Sequence, residues 1–253
     1  MKRGLWLLLV LVGMTSCAAP IKVTTIPRNQ AVIDAINTMP KGGGYSTQPV
    51  AHTALSHSIA VDAKGLCLAP QKACPSYCSG ATYLVLLEMV KAAEARGEFK
   101  LSEGEASALL MTGQADGVNA WGRWNANGPG AAKMIHDLKI GDNFESYAKA
   151  QPGDFMKIFW TEEIGKYEHG HLVIYLGSYR HNGVDYVRFW SSNQPKGYGM
   201  KSVPKSSIMW AIFSRITKLE NIKRVDSLSY QDSFLADMLT RKFSRAEVRS
   251  KVF

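Results

Sequence analysis

One long apolar segment constrains the fold of this chain more than any other feature. The segment from Cys78 to Ala95 carries only three charged residues, which share one face at helical spacing. They are Glu88, Lys91 and Glu94. A helix that is apolar on its other faces lies inside a protein core, and Gly97 supplies a stop signal. The segment therefore predicts a buried helix on which the remaining elements pack.

The elements around this helix change in character along the chain. A capping-box pattern predicts a second helix from Ser102 to about Thr112, an aromatic, glycine-rich loop follows, and a third helix is expected from Ala131 to about Leu138. The second half favours strands, with Asn182-Gly183 as a hairpin turn. The expected strands are 154–161, 171–177, 184–191 and 210–216. Helices followed by antiparallel strands indicate an α+β fold with helices on one side of a sheet.

The N-terminus has the layout of a secretory signal. Lys2 and Arg3 precede an apolar run that is too short for a comfortable membrane span, and the run ends at Ser16-Cys17. A small residue before this cysteine resembles the bacterial lipoprotein box, which implies lipidation of Cys17; the alternative is an ordinary signal peptide.

The net charge of +9 favours anionic partners. An exported protein rarely meets nucleic acid, so the expected anionic partner is the cell envelope.

The length and composition fit one globular domain with extensions, since 46% of the 253 residues are hydrophobic. We expect a lipoprotein signal peptide over residues 1–17, and over 18–49 a tether that leads into the domain. A catalytic domain is expected over 50–216 and a basic helical C-terminal extension over 217–253.

The remaining cysteines are Cys67, Cys74 and Cys78. In an oxidising compartment Cys67 and Cys74 could close a short loop as a disulfide, which leaves Cys78 as an odd thiol. A Cys74–Cys78 disulfide is the alternative, and it would silence Cys78.

Cys78 is the candidate nucleophile because it stands at the start of the buried helix. Unpaired backbone N–H groups and the helix dipole favour a thiolate there. His171 opens an apolar strand and is the candidate base, with His169 as its competitor. Asn193 follows the returning strand of the hairpin and is the candidate third member. Its rivals for that role are Ser191, Ser192 and Gln194.

Together these residues resemble a known family. Cys-Ser-Gly at a helix start, Pro152-Gly153-Asp154 before a strand, and His171 heading an apolar strand resemble the NlpC-type cell-wall cysteine peptidases. They also resemble the related CHAP amidases and the wider papain-like superfamily. The resemblance covers roughly residues 78–216. Tyr77 replaces the aspartate that usually precedes the nucleophile, and the third position lacks the family's frequent histidine.

The resemblance implies a papain-like fold that hydrolyses amide bonds in peptidoglycan stem peptides, without a cofactor. It assigns Cys78 as nucleophile, His171 as base and the 191–193 stretch as the third position. The His169–His171 pair could bind zinc, but no third ligand accompanies it, and no metal is expected. Trp121, Arg123, Trp124 and Asn125 are expected either to line the substrate groove or to pack within a loop.

Other functions fit the same sequence. A non-catalytic lipoprotein could bind cell wall on the same fold, and a Cys74–Cys78 disulfide would favour it. A cysteine acyltransferase or lipid hydrolase would need an apolar groove. An amidase toxin is a further alternative, against which the lipoprotein box argues.

Overall fold

The computed structural model describes residues 27–253, in which most of the helices precede the long strands and two short α-helices follow them. The helices are α1 (Arg28–Thr38), α2 (Pro49–Ser56), α3 (Cys78–Ala95), α4 (Glu103–Ala108), α5 (Asn119–Trp124), α6 (Gly130–Leu138), α7 (Ser233–Asp237) and α8 (Arg245–Val252). The strands are β1 (Gly42–Gly43), β2 (Ile59–Asp62), β3 (Gly65–Leu68), β4 (Gly141–Phe144), β5 (Phe155–Phe159), β6 (Gly170–His181), β7 (Val184–Asn193), β8 (Gly197–Pro204) and β9 (Trp210–Ile216).

Seven strands form one antiparallel sheet in the order β1-β8-β7-β6-β5-β9-β4, and β2 and β3 form a separate hairpin. The expected hairpin through Asn182-Gly183 joins β6 to β7, which pair along their length. The α+β class predicted from the sequence is therefore confirmed.

The core lies between the sheet and the helices, with α3 at its centre. Twelve of the 18 residues of α3 are buried, which confirms the predicted buried helix. Its close fit depends on Gly80, because a Cβ there would lie 2.8 Å from the side chain of Leu55 in α2. Packing of α3 against β6 and β7 fixes where the N-terminus of α3 meets the ends of these strands.

Alternate residues of each strand face opposite sides of the sheet. Phe155 in β5 packs with α3 in the main core, whereas Met156 and Ile158 join a second cluster on the other face. Loop residues such as Tyr147 and Trp160 cover that second face.

The structure corrects several expected boundaries. The predicted tether includes α1, which buries Val32 and Ala35 in the main core, and β1, which belongs to the large sheet. The C-terminal extension also packs into the protein, since Leu219 joins the main core and Val248 a third cluster. These segments belong to the domain because their apolar residues cover helices and strands that would otherwise be exposed.

Two helical predictions also change. The helix expected from Ser102 begins with the predicted capping box but ends at Ala108, before the predicted Thr112. The expected aromatic loop contains α5, which buries Trp121 and Trp124 against the core.

The signal peptide over 1–17, the lipidation site Cys17 and the first part of the tether lie outside the described residues. Within residues 27–253, no helix combines the length and the apolar character needed to cross a membrane.

Candidate active site

Cys78 is the first residue of α3 and is half-buried. Tyr77 precedes it in an extended conformation and makes no side-chain hydrogen bond to the helix end, and the first turn holds no acidic residue. The backbone N–H groups of this turn therefore remain available to an anion, and the helix dipole also favours negative charge at this end.

His171 and Asn193 lie at the neighbouring ends of β6 and β7. His171 Nε2 is 3.1 Å from Asn193 Oδ1. The amide nitrogen of Asn193 donates to the carbonyls of Ser191 and Gly199, at 3.0 and 2.8 Å. These two bonds turn Oδ1 towards the imidazole, so Nε2 is the donor to Asn193. Nδ1 then carries the lone pair and is the ring nitrogen available to a thiol.

The thiol of Cys78 is set to ionise near neutral pH. Burial on its own would raise its pKa, but the charge of His171, a hydrogen bond with His171 and a backbone hydrogen bond from Leu172 outweigh burial. The pKa of Cys78 is thereby lowered to about 7. A thiolate held beside an imidazole is the reactive form of a cysteine nucleophile.

Gln194, one of the three rivals for the third position, is exposed, and the other two are engaged elsewhere. Ser191 donates its hydroxyl to the carbonyl of Leu172 at 2.8 Å, and Ser192 accepts a 2.7 Å hydrogen bond from Ser76. His169, the competitor for the base, is exposed. The structure thus brings Cys78, His171 and Asn193 together, and their roles in catalysis stay predictions.

A cavity of about 680 Å³ opens in front of Cys78. One wall comes from α2 and the residues before it, including Tyr45 and His52. The segment 124–131 and Leu172 also line the cavity, together with Cys78.

Sequence reasoning missed Tyr45. Burial and the nearby charge of Cys78 raise the pKa of Tyr45 to about 12, so its hydroxyl keeps its proton and can donate a hydrogen bond at the cavity wall. Three glycines with positive φ, Gly42, Gly43 and Gly44, lead into it. Position 43 must be glycine, because a Cβ there would lie 2.4 Å from Cys74 Sγ. The run of three consecutive glycines is the sequence feature that marks this close approach.

Only part of the predicted substrate groove lines the cavity. Trp124 and Asn125 do so, and Asn125 accepts a hydrogen bond from Ser79, the residue after Cys78.

Trp121 and Arg123 do not line the cavity, which corrects the prediction for this pair. Trp121 packs edge-on against Tyr83 in the core. The buried guanidinium of Arg123 donates to the backbone carbonyls of Asn119 and Ser229, which holds the C-terminal segment in place.

The predicted disulfide is not formed, because Cys67, Cys74 and Cys78 are free thiols. Cys67 lies in β3 and hydrogen-bonds Asp62 across the hairpin, whereas the thiol of Cys74 lies against Gly43 of β1. The two cysteines therefore belong to different surroundings. The alternative Cys74–Cys78 disulfide is absent as well.

Two further cavity residues carry charge, Lys157 in β5 and Glu168 before β6, and they form an ion pair of 2.5 Å. No sequence motif pointed to either residue. Over residues 27–253, no group of three or more histidine, cysteine, aspartate or glutamate side chains is arranged to hold a metal ion.

Comparison with known proteins adds no relative. The chain matches no protein-family model, and neither the curated proteins nor the solved structures gave a match. The functional argument therefore depends on the geometry of the site.

Proposed function

We propose that this protein is a cysteine hydrolase of papain-like, NlpC-type fold that cleaves amide bonds in peptidoglycan stem peptides. The observation that carries the proposal is the placement of His171, which lies 3.1 Å from the Asn193 amide oxygen and close enough to the Cys78 thiol to lower its pKa. A nucleophile, a base and a group that orients the base, arranged in this order, constitute the machinery of cysteine acyl transfer.

In the proposed reaction, Nδ1 of His171 takes the proton of the Cys78 thiol, and the resulting thiolate attacks the carbonyl carbon of the scissile amide to form a C–S bond. The oxygen of the tetrahedral intermediate accepts hydrogen bonds from the free N–H groups at the start of α3 and from the Tyr45 hydroxyl. The imidazolium of His171 gives its proton to the leaving nitrogen as the C–N bond breaks.

Water then completes the cycle. His171 removes a proton from a water molecule that attacks the thioester, and the C–S bond breaks to release a carboxylic acid and regenerate the thiolate. Asn193 keeps the imidazole in one plane and one tautomer through both halves of the reaction.

The substrate class is supported by three features of the sequence. These are the resemblance of the Cys78 and His171 segments to cell-wall peptidases, the secretory layout of the N-terminus, and the net charge of +9, which suits an anionic wall polymer. A lipid anchor on Cys17 would hold the enzyme at the envelope membrane, within reach of the wall.

The direct test is digestion of purified peptidoglycan sacculi by the chain lacking residues 1–17. A Cys78→Ala variant is the inactive control, and Cys67→Ala is the matched control for loss of a thiol elsewhere. Mass spectrometry of the released fragments should show new amine termini with the unmodified chain and with Cys67→Ala, but not with Cys78→Ala. Intact sacculi in every reaction would contradict the proposal and favour a wall-binding lipoprotein.

A further inference from the structure

The two charged residues of the cavity differ in how many of their hydrogen-bonding groups are used. Lys157 and Glu168 carry the only ammonium and carboxylate groups among the described residues that line it. An ammonium or carboxylate beside a nucleophile decides which charged substrate groups can bind there, because the opposite charge is favoured and the like charge is repelled.

The carboxylate of Glu168 is fully occupied. Its Oε1 accepts from Lys157, and its Oε2 accepts from the backbone N–H groups of Gly128 and Gly165, at 2.6 and 3.1 Å. The side chain is only 2% exposed. Glu168 thus fastens the cavity wall at Gly128 to β5, and it offers little to a cationic substrate group.

Lys157 differs, because an ammonium has three N–H donors and only one is used. Among residues 27–253, Glu168 is the only hydrogen-bonding or ion-pair partner of its Nζ. The ammonium lies 5.3 Å from the ring centre of Phe159, and the Lys157 side chain, which lines the cavity, is 13% exposed.

The backbone holds Lys157 in this position. Lys157 of β5 pairs with Leu172 of β6, and Gly170 lies two residues before Leu172 on the same strand. A Cβ on Gly170 would stand 2.7 Å from Lys157 Nζ and 2.6 Å from Glu168 Oε1. The missing side chain leaves space for the ion pair one residue before His171. The charge of Lys157 is also close enough to contribute to the lowered pKa of Cys78.

We propose that Lys157 is a specificity-determining residue that binds a carboxylate of the substrate next to the scissile amide, while Glu168 holds the ammonium in place. The proposal rests on the proposed amide hydrolysis and defines its substrate further. A carboxylate is the favoured ligand because it can accept both spare N–H donors, and a charge-assisted bond is stronger than one to a neutral carbonyl.

The test compares two synthetic stem peptides. One carries free carboxylates, and the other is identical except that the carboxylates are carboxamides. The unmodified chain should cleave the carboxylate peptide with a kcat/KM at least about tenfold higher, mainly through KM. The ratio between the two peptides is the decisive quantity, because a change in Cys78 ionisation affects both peptides equally.

Three variants separate binding from structure. In Lys157→Met with Glu168→Gln, both charges disappear together, so no buried carboxylate is left unpaired. This double variant should cleave the two peptides at rates within about twofold of each other. Lys157→Arg keeps the charge and should retain the preference. Glu168→Gln alone should weaken the preference, because the ammonium loses its anchor.

Equal cleavage of both peptides by the unmodified chain would overturn this inference alone. A preference that survives in the double variant would also overturn it. Cleavage of neither peptide by the unmodified chain would overturn the proposed function, and the inference with it.

Discussion

Two of the three free thiols in residues 27–253, those of Cys78 and Cys67, have surroundings with opposite effects on the pKa of the thiol. At the N-terminus of α3, His171 lowers the pKa of the Cys78 thiol to about 7 against the effect of burial. In the hairpin of β2 and β3, the hydrogen bond with Asp62 raises the pKa of Cys67 above its ordinary value. One thiol is prepared to ionise, and the other is kept protonated.

The difference lies in the partner rather than in the cysteine. A cationic or proton-accepting neighbour favours the thiolate, whereas a carboxylate opposes it. Exposure alone would not distinguish the two thiols, because both cysteines are partly accessible. We therefore expect chemistry at the corner formed by α3, β6 and β7, and none at the hairpin.

The largest expected effect comes from removing each thiol in turn. Cys78→Ser should reduce amide hydrolysis by at least about 10³-fold, because the nucleophile is lost. Cys67→Ser should leave the rate within about twofold. Rates on sacculi or a stem peptide measure both. A comparable loss of activity in the two variants would contradict the different roles expected of Cys78 and Cys67.

A smaller loss is expected when the base loses its orienting partner. Asn193→Ala should lower kcat by about 10- to 100-fold, because His171 remains but its tautomer and ring plane are no longer fixed. Ser191→Ala is the matched control, since the Ser191 hydroxyl donates to the carbonyl of Leu172 and not to His171. If Ser191→Ala lost more activity than Asn193→Ala, the third position would be misassigned.

The site corner also depends on close approach of two backbones. Gly197 has a φ of +85°, and a Cβ there would lie 2.2 Å from the carbonyl oxygen of Gly42. Gly183 has a φ of +78° with nothing within 4 Å. Gly197→Ala should therefore reduce the free energy of unfolding by about 1–2 kcal/mol more than Gly183→Ala does. Urea denaturation of both variants measures the difference, and equal losses would show that the approach is unimportant.

The smallest effect concerns the protected thiol. Asp62→Asn removes the carboxylate that raises the pKa of Cys67, so a larger fraction of that thiol is ionised at pH 8. Alkylation of Cys67 by iodoacetamide should become about threefold faster. Peptide mapping should show no change at Cys78, which serves as the internal control. A slower reaction at Cys67 would reverse the assigned role of Asp62.

Strong periodic patterns made part of the fold predictable. The apolar run of α3, the capping box at Ser102 and the Asn182-Gly183 turn all identify the elements that the structure contains. β8 gave no such signal, because glycines interrupt its alternation and it is defined by pairing with β7. The helix α5 was read as loop because Gly122 lies within it, and tertiary burial of its tryptophans overrides that local preference.

The candidate site divides in the same way. Cys78, His171 and Asn193 were accessible to sequence reasoning because Cys78 marks a helix start, one hairpin joins the other two, and the segments around Cys78 and His171 resemble a known family. Tyr45 and Lys157 reach the cavity through β1 and β5, whose positions depend on long-range pairing. The expected disulfide failed for a similar reason, since short separation along the chain does not place Cys67 beside Cys74.

The pH dependence of Cys78 alkylation tests the central claim most directly, because it requires no substrate. Peptide-resolved mass spectrometry after brief iodoacetamide treatment would follow Cys78 in the unmodified chain and in His171→Gln. We expect a midpoint near pH 7 that moves to higher pH in the variant, since burial then raises the pKa of Cys78 without the opposing effect of the imidazole. The same midpoint in both proteins would contradict the account, because His171 would then have no influence on the proposed nucleophile.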